Sequence, residues 1–411
     1  MRWLYRFGTA AYHTALRTAA RLGNDKAKQW VEGRRTQTVQ DKTPGRRRVW
    51  IHCASLGEWE QGRPVLEALQ RRLPEHDFVL SFYSPSGYER QGADDLVSQV
   101  LYLPEDTPTE AQRWMADLQP DVALFVKYEI WHFHLAALRA AGVPSFLVAA
   151  NFRPEQIFFQ SYGAWYRKSL TYFTGIITQT AAAKALLANK GNYPTEQLFV
   201  AGDPRMDRVL AITQVPFTDE KIAAFVGDSP VFIVGSGWPQ DLAVILEAWP
   251  ELPQTWKLIY APHQLREAEL TTTAEALGAA RYASTKPDEL ARERVLLLDT
   301  IGILSRVYRY GKIAYVGGGF KTGLHSTLEP MAYGLPVIFG PKHQKFPEAA
   351  AAITAGGAFS VSDADELSGV LSTLQEPTAY NSASEAQRQL CAANAGAGER
   401  TADLILQQLN P

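Results

Sequence analysis

Two glutamates follow apolar runs in the first half of the chain, where buried strands are expected to end. Glu58 closes the stretch IHCASLGE over residues 51–58, and Glu129 follows FVKY over residues 125–128. A carboxylate at a strand end can take the proton of a substrate hydroxyl if burial or a neighbouring charge tunes its pKa. An acid that only stabilises the first turn of a helix gives the same pattern. The residues alone leave both interpretations open.

A glycine-rich stretch lies in the second half, and residues 314–347 read AYVGGGFKTGLHSTLEPMAYGLPVIFGPKHQKFP. Its apolar runs predict a strand, a glycine loop, a helix and a second strand. Gly317–Gly319 would let the backbone approach a ligand, because glycine has no Cβ. Ser326 or Thr327 would cap the helix, whose N-terminus favours an anion such as phosphate. Glu329, in the first turn, would accept hydrogen bonds from sugar hydroxyls.

Glycines after a strand can also form a simple turn, and the glycines alone favour that interpretation. The full pattern with its two flanking strands favours a phosphate or nucleotide site instead. It contains neither G-x-G-x-x-G nor G-x-x-x-x-G-K-[ST]. A Rossmann dinucleotide fingerprint and a P-loop are therefore not supported.

Short apolar runs alternate with amphipathic ones from Arg48 onward, which predicts parallel sheets covered by helices on both faces. At 411 residues, two domains are expected. The predicted boundaries are an N-terminal helical segment (1–47), a first Rossmann-like domain (48–212), a linker (213–230), a second Rossmann-like domain (231–390) and a C-terminal helix (391–411). Two such domains in tandem would place a ligand cleft between the carboxyl ends of their sheets.

The composition, with 46% hydrophobic and 20% charged residues, indicates a globular protein. A net charge of −2 gives no reason to expect nucleic acid as a partner, and the two cysteines form neither a disulfide framework nor a zinc set. The histidines and cysteines show no metal-ligand spacing, so no metal and no cofactor are predicted.

Positive charge is concentrated at the N-terminus. The first 48 residues hold 12 lysines and arginines against three acids, a formal charge of +9, which leaves −11 for the rest of the chain. Trp3, Leu4 and Phe7 lie among these arginines, in a pattern typical of a helix in a membrane interface. No run of eighteen apolar residues predicts a membrane-spanning helix. The alternative is a helix packed on its own domain or on another subunit.

These segments together resemble the 3-deoxy-D-manno-octulosonic acid (Kdo) transferases. The start of the first domain matches the motif H-x-x-S-x-G-E through His52, Ser55, Gly57 and Glu58, and Glu129-Ile130-Trp131 matches part of E-x-E-(L/I/F)-W. The glycine-rich stretch matches GG(S/G)…G-x-H-N-x-LEP…GP…F-x-E at Gly317, Gly318, His325, Leu328, Glu329, Pro330, Gly340, Pro341, Phe346 and Glu348. The chain departs from the usual pattern at Lys127, Trp238, Ile303 and Ser326.

The resemblance implies an inverting GT-B glycosyltransferase, with two Rossmann-like domains facing a central cleft. It would transfer Kdo from CMP-Kdo to a lipid A precursor, lipid IVA, at the cytoplasmic face of the inner membrane, held there by its basic N-terminal helix. Glu58 would be the general base, and Ser55, Gly57, Glu129 and Arg153 would orient the acceptor. The nucleotide sugar would contact Ser236, Gly237, Pro262, His263, Gln264, Gly317, Gly318, Gly319, His325, Ser326 and Glu329. The C-terminal helix of such two-domain transferases often returns to the first domain.

Two other functions remain open from the sequence. One is a transferase of the same architecture that uses a UDP-sugar, or a UDP-sugar epimerase. The other is a non-catalytic protein that binds a ligand between two domains. Competition binding of CMP against UDP would distinguish the UDP-sugar enzymes from a Kdo transferase. Turnover of any nucleotide sugar would exclude the non-catalytic binding protein.

Overall fold

The computed structural model describes residues 2–91, 95–321 and 323–409. Met1 and residues 410–411, which belong to the predicted terminal segments, lie outside the described residues. Contacts within the described chain divide it into two units. The first holds the residues up to Arg208 together with those from Gly396 onward, and the second is Val209–Ala395.

The helices and strands alternate through both units. The strands are β1 (Arg47–Cys53), β2 (His76–Phe82), β3 (Gln99–Tyr102), β4 (Val122–Val126), β5 (Ser145–Ala150), β6 (Gly175–Thr178), β7 (Leu198–Val200), β8 (Val231–Gly237), β9 (Lys257–Pro262), β10 (Ala280–Arg281), β11 (Val295–Leu297), β12 (Ile313–Val316), β13 (Val337–Phe339) and β14 (Ala358–Ser360). The helices are α1 (Arg2–Arg21), α2 (Asp25–Thr36), α3 (Leu56–Arg72), α4 (Pro85–Gln91), α5 (Pro108–Leu118), α6 (His132–Ala140), α7 (Ala164–Leu170), α8 (Ala181–Asn189), α9 (Arg205–Gln214), α10 (Glu220–Val226), α11 (Pro239–Ala248), α12 (Glu267–Leu277), α13 (Pro287–Leu290), α14 (Leu304–Val307), α15 (Leu328–Ala332), α16 (Pro347–Ala355), α17 (Ala364–Thr373), α18 (Pro377–Asn394) and α19 (Ala397–Leu409).

The first unit is a seven-stranded parallel sheet in the order β3-β2-β1-β4-β5-β6-β7. Strands β1 and β4 are neighbours at its centre, with His52 opposite Phe125. Every residue of β4 and nearly every residue of β1 is buried, so both faces of the sheet are covered. The segments that follow β1 and β4, which carry Glu58 and Glu129, are thereby brought to the same end of the sheet.

The last helix of the chain packs against α3 within this first unit. Ala402 and Ile405 of α19 are buried in the same core cluster as Trp59 and Val65 of α3. Gly398 lies so close to Pro64 that an added Cβ would stand 2.8 Å from its carbonyl oxygen. This packing fixes the position of α3, which carries Glu58 in its first turn.

Helix α1 has one face on the first unit and one face in solvent. The Tyr5 hydroxyl donates a hydrogen bond to Asp106 at 2.5 Å, and His13 is buried. Trp3 and Phe7, on the other face, are 71% and 64% exposed. Within the described ranges, no helix combines the length and the apolar character needed to cross a membrane.

The second unit is also a seven-stranded parallel sheet, in the order β10-β11-β9-β8-β12-β13-β14. The predicted α/β class with two Rossmann-like domains is therefore confirmed. The short edge strands β10 and β14 were not predicted, because two or three residues carry too little pattern. Residues 213–230, predicted as a linker, contain α10, whose Asp219 side chain caps the helix through Ile222 N–H.

Candidate active site

Glu58 lies in the first turn of α3, directly after the central strand β1. Ser55 precedes the helix in an extended conformation, and the Ala54 N–H donates a hydrogen bond back to the Glu58 carboxylate. Burial, and then the charge of Glu129, raise the pKa of Glu58 to about 7. The Ala54 N–H, His52 and Lys127 act in the opposite direction. A carboxyl group with this pKa can exchange a proton with a substrate near neutral pH.

Glu129 lies in the turn between β4 and α6 and is held by a buried network. The Trp131 indole N–H donates to Glu129 Oε2 at 2.7 Å, and His52 Nε2 lies 3.1 Å from the same oxygen. Burial raises the pKa of Glu129 to about 7, although the hydrogen bond from Trp131 opposes the shift. Two carboxyl groups with raised pKa values thus follow neighbouring strands, and each disfavours the ionisation of the other.

His52, on β1, supports Glu129 as a neutral imidazole. Burial lowers its pKa to about 3. Its Nδ1 lies 3.1 Å from the Ser81 carbonyl oxygen, which can only accept, so we assign the proton to Nδ1. The Ser81 hydroxyl accepts a hydrogen bond from the Trp50 indole N–H at 2.8 Å. Nε2 is then an acceptor that faces Glu129 and can accept a hydrogen bond from its carboxyl group when that group is protonated.

Of the other residues predicted to orient the acceptor, two adjoin Glu58 and one lies in a separate loop. Ser55 and Gly57 adjoin Glu58 at the start of α3, where Gly57 is exposed and the Ser55 side chain makes no cap hydrogen bond. Arg153 lies in the loop after β5, exposed, with its backbone N–H donating to Gln156. The structure thus brings Glu58 and Glu129 together and leaves Arg153 at the surface of the loop.

In the second unit, one buried carboxylate organises the glycine loop after β12. Asp241 accepts hydrogen bonds from the N–H groups of Gly318 and Trp238, each at 2.9 Å, and from the Tyr315 hydroxyl at 2.8 Å. Gly318 has φ +96°, and a Cβ on Gly319 would stand 2.6 Å from the nitrogen of Gly340. The sequence prediction missed Asp241. The signal that could have found it is an acid at the third position of a helix that follows G-S-G.

Three rings stack beside this loop. Trp238 and His263 have centroids 4.2 Å apart at 18°, and His263 and His325 have centroids 4.5 Å apart. The Trp238 indole N–H also donates to His325 Nε2 at 3.0 Å. Ser236, with φ 55°, and Gly237 end β8 immediately before Trp238. Trp238, which departs from the expected pattern, is therefore part of the predicted site.

The remaining predicted nucleotide-sugar residues lie around the end of β9, in the loop after β12 and in α15. Pro262 and Gln264 are half-buried around the exposed His263, Ser326 is exposed, and Glu329 is half-buried in the first turn of α15. The predicted helix cap is wrong. Thr327 precedes α15, but its φ of −84° and ψ of −17° are already helical, so its side chain does not bond to the helix.

No group of three or more His, Cys, Asp or Glu side chains that could hold a metal ion occurs in residues 2–91, 95–321 and 323–409.

Comparison with known proteins gives the family. Residues 17–208 match a family model described as 3-deoxy-D-manno-octulosonic-acid transferase (kdotransferase). The 3-deoxy-D-manno-octulosonic acid transferase of Bordetella pertussis is 31% identical over 379 residues, which are 87% of this chain and 86% of that protein. The chain belongs to the Kdo transferase family, which is a family of glycosyltransferases.

Other relatives agree with this assignment. The Kdo transferase of Aquifex aeolicus is 27% identical, over 78% of this chain and 83% of its own length. A crystal structure of UDP-GlcNAc 2-epimerase from Neisseria meningitidis bound to UDP-GlcNAc superposes with a TM-score of 0.63 at 15% identity, covering 88% of this chain and 99% of that one. This second likeness supports the fold alone.

The geometry of this Kdo transferase predicts how its two glutamates interact. Glu129→Gln removes a negative charge near Glu58, so we expect the pKa of Glu58 to fall from about 7 toward its ordinary value. Carboxyl ¹³C NMR titration of glutamate-labelled protein measures this. Glu67→Gln, on the solvent side of the same helix and paired with Arg63, is the matched control and should leave the Glu58 titration unchanged. A Glu58 pKa that stays near 7 in Glu129→Gln would contradict the proposed interaction.

Proposed function

We propose that this protein transfers Kdo from CMP-Kdo to a lipid A precursor, lipid IVA, in lipopolysaccharide biosynthesis. The observation that carries the proposal is Glu58. It is a half-buried carboxyl group with a pKa raised to about 7, held at the N-terminus of α3 in the segment that matches the family model. A general base needs a pKa of this kind to be ionised near neutral pH and still attract a proton.

In the proposed reaction, ionised Glu58 accepts the proton of the acceptor hydroxyl as its oxygen attacks the anomeric carbon of Kdo. The bond between that carbon and the phosphate oxygen of CMP breaks, and its electron pair leaves with CMP. Attack opposite to the leaving group inverts the anomeric configuration. Glu129, hydrogen-bonded to Trp131 and beside neutral His52, keeps the Glu58 pKa high and helps orient the acceptor together with Ser55, Gly57 and Arg153.

We propose that the second unit binds the nucleotide sugar. Gly317–Gly319 are buried, and their lack of Cβ atoms lets the loop pack against the backbone of Ser236, Gly323 and Gly340, so the expected close approach of a ligand to these three glycines is wrong. Ser236 and Gly237 present a turn at the end of the adjacent strand. The CMP moiety would be contacted by Pro262, His263, Gln264, His325 and Ser326. Glu329 would accept hydrogen bonds from the hydroxyls of the sugar. CMP leaves as a stable phosphate anion, so N–H and imidazole donors can balance its charge, and we expect no metal requirement.

We also propose that α1 docks the protein on the cytoplasmic face of the inner membrane. Its exposed side chains Trp3, Leu4, Phe7 and Tyr12 form an apolar face, and arginines flank them. Aromatic rings at the headgroup level and arginines against lipid phosphates give reversible binding. The enzyme would then meet its lipid acceptor at the surface where that lipid resides.

The choice of donor is tested by thermal unfolding with CMP, UDP and GDP, each at the same millimolar concentration with EDTA present. We expect CMP alone to raise the melting temperature, since a ligand at about 100 times its Kd stabilises the folded state by about 2.7 kcal/mol. Stabilisation by UDP alone would contradict the proposed donor and favour the UDP-sugar transferase or epimerase.

The role of Glu58 is tested by Glu58→Gln, which keeps the shape of the side chain but cannot accept the proton. We expect transfer from CMP-Kdo to lipid IVA to fall by about 10²- to 10⁴-fold, while circular dichroism and CMP binding stay unchanged. Glu60→Gln is the matched control, because Glu60 lies on the same helix and is paired with Arg208. Substantial transfer by Glu58→Gln would remove Glu58 as the base.

Membrane docking is tested by co-sedimentation with vesicles that contain anionic phospholipid. The double variant Trp3→Ser/Phe7→Ser should bind at least ~10-fold more weakly than the wild type, because burying each aromatic ring contributes roughly 1.5–3 kcal/mol. Ile301→Ser is the control, since Ile301 is 74% exposed in the second unit. Equal binding by the double variant and the control would rule out α1 as the docking element.

A further inference from the structure

Lys127 is the first residue after the central strand β4, and its backbone is held in an unusual conformation. It has φ 66°, in the left-handed region that a residue with a side chain rarely adopts. Its N–H donates to the Val148 carbonyl at 2.8 Å, which ties it to the neighbouring strand β5. The left-handed turn fixes the direction in which the side chain leaves the strand, two residues before Glu129.

The Lys127 ammonium has cations around it and is only partly in solvent. Its side chain is half-buried, and within the described residues it makes no hydrogen bond or ion pair. Its Nζ lies 5.6 Å from the centroid of the Tyr128 ring. Burial and then Arg205 lower the pKa of Lys127, Arg153 adds to this effect, and Glu58 and Asp203 oppose it.

The nearby anions are not paired with Lys127. Asp203 is already paired with Arg205, at 2.6 Å. Glu58 bonds to the Ala54 N–H and has a raised pKa, so it is partly protonated near neutral pH. Lysine is seldom withdrawn from water without a partner of opposite charge. An anionic group of a substrate would supply that charge when it binds.

We propose that Lys127, with Arg153 and Arg205, forms an anion-binding subsite beside Glu58 that takes a phosphate or carboxylate group of a substrate. The assignment rests on the proposed function, in which the acceptor carries phosphate and the transferred sugar carries a carboxylate. Arg153 and Arg205 follow β5 and β7 of the same parallel sheet, so all three cations lie beyond the carboxyl ends of its strands. A lysine ammonium offers three donors to such oxygens.

This subsite would set a substrate preference particular to this chain. The related motif has an acid where this chain has Lys127. Exchanging an acid for a lysine reverses the charge presented beside the catalytic carboxylate. A substrate anion that an acid would repel is attracted here, and its binding holds the acceptor hydroxyl or the donor against Glu58.

Lys127→Gln and Lys127→Asn test the subsite. Asparagine is included because it tolerates the left-handed backbone. At a pH well above the Glu58 pKa, where loss of the lysine no longer alters the ionisation of Glu58, we expect the KM of one anionic substrate to rise about tenfold, as charge-assisted hydrogen bonds are lost. A higher KM for lipid IVA assigns the anion to the acceptor phosphate, and a higher KM for CMP-Kdo assigns it to the Kdo carboxylate. Unchanged KM values for both substrates in both variants would overturn the proposal.

Two further comparisons complete the test. Lys127→Arg should keep both KM values within about threefold of the wild type, because a cationic donor remains. Lys184→Gln, a half-buried lysine on α8 of the same unit, is the matched control and should change neither KM. A rise of the same size in Lys184→Gln would also overturn the proposal, since the effect would then be one of general charge.

A binding measurement separates this proposal from the proposed function. If the wild type transfers no Kdo, the function fails, and the subsite is tested with inorganic phosphate by isothermal titration. The wild type and Lys184→Gln should then bind phosphate at least about fivefold more tightly than Lys127→Gln. Equal affinities in all three proteins would overturn the subsite whatever the substrate is.

Discussion

The first unit depends on the burial of two carboxyl groups at the ends of neighbouring strands. Glu58 and Glu129 are both withdrawn from water, and the charge of Glu129 makes Glu58 harder still to ionise. Their pKa values, raised from 4.5 to about 7, favour the protonated forms in the folded state. The stability from these groups is therefore fully present below about pH 4.5, and it is lost as the pH rises through 7. The protein gives up stability in the pH range where a general base is needed.

The surrounding structure makes this burial tolerable. His52 stays neutral and lies at 3.1 Å from Glu129, and Trp131 donates at 2.7 Å, so the inner carboxyl group is hydrogen-bonded in either protonation state. Tyr83 stacks on Trp131 with centroids 4.7 Å apart and covers it. The second unit uses a buried carboxylate differently. Asp241 accepts three hydrogen bonds from loop and sheet and is fully buried, so it fixes a backbone conformation and is not presented to a substrate.

The sequence was sufficient to predict the parts of this design that follow from periodicity. The parallel sheets, the strand ends at Val126 and Thr178, and the glutamates after β1 and β4 all have a local signal. The network around Glu129 has none, because His52, Ser81 and Trp131 come from three separate segments that only the sheet order brings together. The missing cap at Thr327 is a similar case, since a five-residue helix entered through a helical turn gives the hydroxyl no N–H within reach.

Departures from the family pattern also acquire physical meaning only in three dimensions. In the sequence, Trp238 is an unexplained replacement. In the structure its indole N–H donates a hydrogen bond to His325 Nε2, and its ring stacks on His263. The imidazole proton of His325 must then lie on Nδ1, so the substitution selects which nitrogen can donate to a ligand. Ile303, by contrast, precedes α14 and packs against the core that contains Leu290 and Val307, where an acid would be poorly placed. One departure therefore changes the chemistry presented beside the glycine loop, and the other extends the core, although both looked alike as letters in a motif.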